Sequence, residues 1–99
     1  MPRVSRQTLV VSPQGLHARP AALFVQLAKR FASEITVTKG RQRVDGKSIM
    51  GLLTLAVETG AQVRIGADGP DAEEAVDRLC HFLSRRSDGV DAPSKPLST

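Results

Sequence analysis

The sequence predicts an α+β fold. It is an open-faced two-layer sandwich in the order β-α-β-β-α-β-α, a four-stranded antiparallel sheet covered on one face by three helices. Three observations predict it. Apolar residues alternate with polar ones in some stretches and recur at i, i+3, i+4 and i+7 in others, the periods of strands and helices. Clusters of Gly, Pro, Ser and Asp separate those stretches. Short alternating strands with one polar face need helices on the other side only.

The elements follow in order. Thr8-Leu9-Val10-Val11 is a β-branched run that reads as the first strand, and Ser12-Pro13-Gln14-Gly15 ends it with turn residues. From Ala18 the period changes: Phe24, Leu27, Ala28 and Phe31 line one helical face, with Pro20 in the first turn and Lys29 and Arg30 in the last. Glu34 to Thr38 alternates, Lys39-Gly40-Arg41 turns, and Gln42 to Asp45 returns as a short polar strand, together a hairpin. Gly46-Lys47-Ser48 opens a second helix with Ile49, Leu52, Leu53 and Ala56 at helical spacing. After the turn Glu58-Thr59-Gly60, Val63 to Ala67 alternates as the fourth strand, broken by Asp68-Gly69-Pro70. Asp71 with Glu74 three residues on fits a capping box, and Val76, Leu79, Cys80 and Leu83 mark the buried face of the last helix, closed by Arg85 and Arg86. Residues 1–86 read as one domain. Residues 87–99, poor in apolar side chains, are expected to form a disordered tail.

The totals narrow the function. With 40% hydrophobic and 24% charged residues the chain has the composition of a globular domain, and with three Phe and no Trp or Tyr its core must be aliphatic. A single cysteine, Cys80, leaves no internal disulfide and no multi-cysteine zinc site. His17 and His81 lie too far apart in sequence for metal-ligand spacing, so neither a metal nor a cofactor is expected. His81 reads as a surface residue and Cys80 as a packed thiol. No apolar run approaches the roughly 20 residues of a membrane span, and the N-terminus lacks a secretory signal, so the cytoplasm is the expected location and membrane insertion is not expected. The net charge of +4 invites a nucleic-acid reading. The basic residues are scattered, however, and no aromatic residues alternate with them to stack bases. Acidic protein partners suit the charge better than nucleic acid.

One stretch carries chemistry: Gly15-Leu16-His17-Ala18-Arg19-Pro20-Ala21-Ala22. By itself a histidine at a helix start reads as a capping or surface residue. Its context points elsewhere. Helix N-termini present unpaired N–H groups and the positive end of the macrodipole, so they receive anions. Gly15 lets backbone approach such an anion, and Arg19 can neutralise phosphate oxygens through charge-assisted hydrogen bonds. Ser48 reads first as the N-cap of the second helix.

These residues resemble the active-site signature of the HPr family, the histidine-containing phosphocarriers of the bacterial phosphoenolpyruvate-dependent sugar phosphotransferase system. The resemblance continues through Ser33-Glu34-Ile35-Thr36-Val37, Gly46-Lys47-Ser48-Ile49-Met50-Gly51-Leu52-Leu53 and Ala67-Asp68-Gly69-Pro70-Asp71-Ala72-Glu73-Glu74-Ala75, over about residues 6–86. It implies an HPr-like fold and a phosphocarrier that is not itself an enzyme. His17 would be phosphorylated on Nδ1 by phospho-enzyme I and pass the group to EIIA proteins. Arg19 would stabilise the phosphoryl charge, Ala18 and Arg19 would offer backbone N–H groups, and Pro20 would fix the helix start. Ser48 would be a regulatory phosphorylation site for an HPr kinase/phosphorylase. Partner docking would fall on Ala22, Gln26, Ile49, Met50 and Leu53, with an exposed Met50 suited to several partners, and the carrier would be a monomer. Gln14 departs from the small polar residue common at its place in the family, the hairpin is more basic than expected, and the tail runs past the usual end. Two relatives of this reading remain: a nitrogen-branch paralogue with regulatory acceptors, and a binding module acting through phospho-Ser48. Retention of His17 argues against the second, because purely regulatory members of the family lack it.

Overall fold

The computed structural model describes residues 3–11 and 15–84. Four strands, β1 (Arg3–Leu9), β2 (Glu34–Lys39), β3 (Gln42–Asp45) and β4 (Gln62–Asp68), alternate with three helices, α1 (Ala18–Ala28), α2 (Ile49–Leu55) and α3 (Ala72–Leu83). The strands form one antiparallel sheet in the order β1-β4-β2-β3. This is the α+β open-faced sandwich read from the sequence. The central pair shows why it forms: Ile35 and Val37 of β2 and Val63, Ile65 and Ala67 of β4 are buried at every second position, while the residues between them face away from the core.

The helices cover that apolar face. α1 contributes Ala21, Phe24, Val25 and Ala28, α2 contributes Leu52 and Leu55, and α3 contributes Ala75, Val76, Leu79, Cys80 and Leu83 to one continuous core. Phe24 meets Phe82 edge-on with ring centroids 6.2 Å apart, joining α1 to α3.

Several elements differ from their sequence reading. The first strand is Arg3–Leu9, not Thr8 to Val11. It is a polar edge strand held by its full-length ladder with β4, from Arg3 opposite Asp68 to Leu9 opposite Gln62, so side-chain hydrophobicity does not mark it. Val10 and Val11 leave the ladder and bond to the Ala61 and Leu83 carbonyls instead. α1 stops at Ala28, which leaves Lys29 as its C-cap and Arg30 outside it. In α2 the buried pair is Leu52 and Leu55, whereas Ile49, Leu53 and Ala56 are exposed. With four large apolar side chains other than Met50 in seven residues, periodicity alone could not choose its face.

The capping box at α3 does not form. Asp71 occupies the N-cap but makes no cap bond with its side chain. Its carboxylate instead accepts hydrogen bonds from the Ala32 N–H (2.8 Å), the Ser33 N–H (3.0 Å) and the Ser33 hydroxyl (2.6 Å). Those bonds hold its carboxyl below the usual carboxylate range, the Ser33 hydroxyl contributing most. They also satisfy Ser33, which is fully buried. Gln14, Arg85 and Arg86 and the 87–99 tail lie outside the described residues.

Candidate functional site

The site begins with a chain reversal that only glycine makes easily. Gly15 has φ +63°, and a Cβ there would lie 2.6 Å from the Val57 carbonyl oxygen. The next residue, Leu16, is buried and donates its N–H to that same carbonyl at 2.9 Å. His17 follows as the N-cap of α1, with extended backbone and no capping bond from its side chain. Ala21 N–H donates to the His17 carbonyl at 2.8 Å, the first bond of the helix.

Pro20 sits between them and has no N–H to offer. The N–H groups of Ala18 and Arg19 therefore open the helix, and neither finds an acceptor among the described residues. His17, Ala18 and Arg19 are all exposed, while Pro20 is buried and anchors the first turn. Arg19 makes no ion pair or hydrogen bond among the described residues. An imidazole, two outward N–H groups and an unengaged guanidinium thus share one exposed helix end. Unpaired helix N–H groups and a guanidinium are donors that favour an anion.

The segment 57–61 holds this loop at both ends. Val57 receives Leu16, while Gly60 N–H donates to the Val10 carbonyl at 2.7 Å and Val10 N–H to the Ala61 carbonyl at 2.9 Å. α2 leads directly into that segment, and two lysines tether α2. Lys47 Nζ, just before the helix, donates to the Phe31 carbonyl at 2.8 Å. Lys39 Nζ reaches the other end, donating to the Leu55 and Ala56 carbonyls at 3.3 and 3.2 Å. Val57, Lys39 and Lys47 were not singled out from the sequence as parts of the site. Only the basic character of the hairpin and the place of Lys47 in the second motif gave a signal for the lysines.

Ser48 is the N-cap of α2, half-buried, and its hydroxyl accepts the Gly51 N–H at 3.0 Å. α1 and α2 pack on one another. On α1, Ala22 is half-buried and Gln26 exposed. On α2, Ile49 is 41%, Met50 74% and Leu53 38% exposed, so three of the four exposed large apolar side chains among the described residues belong to this helix.

Cys80 and His81 both lie on α3. Cys80 is buried, which pushes its thiol up from the usual value, and His81 is exposed on α3. Among the described residues no three His, Cys, Asp or Glu side chains gather where they could hold a metal ion. Three of the arginines, Arg3, Arg6 and Arg78, are engaged with Asp68, Asp77 and Glu74. Among the described residues no helix is long and apolar enough to cross a membrane.

The chain matches the family model described as the PTS HPr component phosphorylation site over residues 4–85. It is 45% identical over 82 residues to the HPr-like protein Crh of Halalkalibacterium halodurans, covering 83% of this chain and 98% of that protein. The crystal structure of the phosphocarrier protein HPr from Bacillus anthracis matches with TM-score 0.82 and 43% identity, covering 85% of this chain and all of that one. The structure of an HPr dimer from Thermoanaerobacter tengcongensis matches with TM-score 0.64 and 51% identity, over 70% of this chain and 79% of that one.

Proposed function

This chain belongs to the PTS HPr family, and we propose that it is a phosphocarrier, relaying a phosphoryl group from phospho-enzyme I to EIIA proteins through His17. The observation that carries the reading is the exposed imidazole at the start of α1, beside the open N–H groups of Ala18 and Arg19. In the forward step Nδ1 of His17 attacks the phosphorus of the donor's phosphohistidine. The new P–N bond forms as the donor P–N bond breaks. Such a transfer asks for in-line approach and for charge stabilisation on the equatorial oxygens, which backbone N–H groups and the Arg19 guanidinium supply without chemistry of their own. The protein is a carrier recycled between partners and not an enzyme.

Ser48 serves as a regulatory site for an HPr kinase/phosphorylase in this reading. Its place at a helix N-terminus suits a phosphate electrostatically, and about two negative charges there would alter the exposed face of α2 without unfolding it. Ile49, Met50 and Leu53, with Ala22 and Gln26, form the docking surface for enzyme I and EIIA. The carrier acts as a monomer and in the cytoplasm. The Thermoanaerobacter tengcongensis relative is described as a dimer, so sedimentation of this chain at working concentration is the check on that point.

The likeness to a Crh protein favours keeping a second reading, a module that acts chiefly through phospho-Ser48. His17 separates the two. Incubation with enzyme I and labelled phosphoenolpyruvate, beside a His17→Ala variant, is expected to give acid-labile, alkali-stable label on the parent chain alone. A folded parent that takes no label would remove the carrier reading and leave the Ser48 module.

A further inference from the structure

We propose that Lys39 is a positioning residue for His17, acting through the C-terminal end of α2; the inference rests on the reading of His17 as phosphoryl acceptor. Side chains alternate along a strand, so Lys39 shares the helix-facing side of β2 with Ile35 and Val37 rather than facing open solvent. From there its ammonium group spans to the Leu55 and Ala56 carbonyls. Among the described residues it makes no ion pair. A cation is favourable at a helix C-terminus, where carbonyls lack partners.

What lies next to those carbonyls gives the contact its consequence. Ala56 is the C-cap of α2, with φ +53° and ψ +51°, a left-handed conformation that an alanine holds only when its surroundings enforce it. Val57, one residue on, supplies the carbonyl that receives Leu16 N–H and abuts Gly15. Leu16 is bonded to His17. The path from the lysine to the imidazole therefore runs Lys39, Ala56, Val57, Leu16, His17, each step a hydrogen bond or a peptide link. Loss of the ammonium group frees the end of α2 to relax, and the first thing it loosens is the backbone that sets the height and direction of the His17 imidazole.

The test compares the parent chain with Lys39→Met, which keeps the apolar stem and removes the donors, Lys39→Arg, which keeps a donor, and Arg41→Met, which removes one nearby charge but no bond seen here. Two quantities are read: amide exchange at Leu16 and Gly60, and the rate of label transfer from phospho-enzyme I. In Lys39→Met, exchange at Leu16 and Gly60 is expected to quicken about fivefold relative to the rest of the chain. The transfer rate at saturating enzyme I is expected to fall about fivefold, with the half-saturating concentration of enzyme I unchanged. Lys39→Arg is expected to recover most of both losses and Arg41→Met to show neither. Exchange at Leu16 and Gly60 that tracks the whole chain, an unchanged transfer rate in Lys39→Met, or an equal loss in Arg41→Met overturns the proposal. A parent chain that takes no label at all overturns instead the phosphocarrier reading on which it rests.

Discussion

Gly15 and Val57 meet more closely than any residue with a side chain would allow. The Cβ that an alanine would carry at position 15 falls 2.6 Å from the Val57 carbonyl oxygen and 2.9 Å from Glu58 Cα, both backbone atoms that cannot rotate away. The same carbonyl accepts the Leu16 N–H. Gly15→Ala must therefore either break that bond or displace the 57–58 backbone. The left-handed backbone alone costs about 1–2 kcal/mol for an L-residue. The variant is expected to lose at least that much in urea unfolding, and to accept phosphoryl label more slowly than its loss of stability explains.

Ala56 makes the opposite case. It holds a left-handed conformation at the end of α2 with a side chain present. Ala56→Gly removes a strain of about 1–2 kcal/mol and loses about 0.4–1 kcal/mol through the freer unfolded chain, so a net gain of about 0–1.6 kcal/mol is expected. Thermal and urea unfolding of the variant check the sign. A less stable variant would mean that the methyl group packs usefully.

Ser48→Ala removes the hydroxyl that accepts Gly51 N–H and leaves a helix of only seven residues without its cap. A loss of about 1 kcal/mol is expected. Ser48→Asp keeps an acceptor and is expected to unfold close to the parent, which separates capping from any regulatory effect of charge at this place.

Asp71 gives a pH dependence whose sign follows from its bonds. Three donors favour its ionised form, so its folded pKa lies below the unfolded value. The stabilisation is present in full above the ordinary carboxylate range and is lost as pH falls through the folded pKa. Asp71→Asn is expected to be less stable than the parent at neutral pH, with the gap closing in acid below that range. Paired melting curves across pH measure it, and a gap that persists unchanged in acid would contradict the assignment.

Much of the fold was legible in the sequence, and the reasons are local. β2 and β4 alternate because each has one buried and one open face, and α1 and α3 show helical periodicity because each buries one stripe in the common core. β1 was legible only at its end, because an edge strand held by a ladder needs few apolar residues. Asp71 looked like a cap three residues before Glu74, yet its acceptors were taken by donors 38 and 39 residues away in the chain. No local pattern carries that information.

What could be read locally was the residue set of the candidate site: one histidine at the start of an amphipathic helix, with arginine and proline in the first turn and a serine heading a second helix. Those are properties of short stretches, set by backbone preference and side-chain type. What holds them in place depends on contacts between distant parts of the chain. The clasp of the 57–61 segment on the His17 loop, the burial of Leu55 in place of Leu53 and the reach of Lys39 to the end of α2 join residues distant in the chain. Such pairings depend on how packed elements meet in space, and a carbonyl accepts a distant donor with no mark in its own side chain.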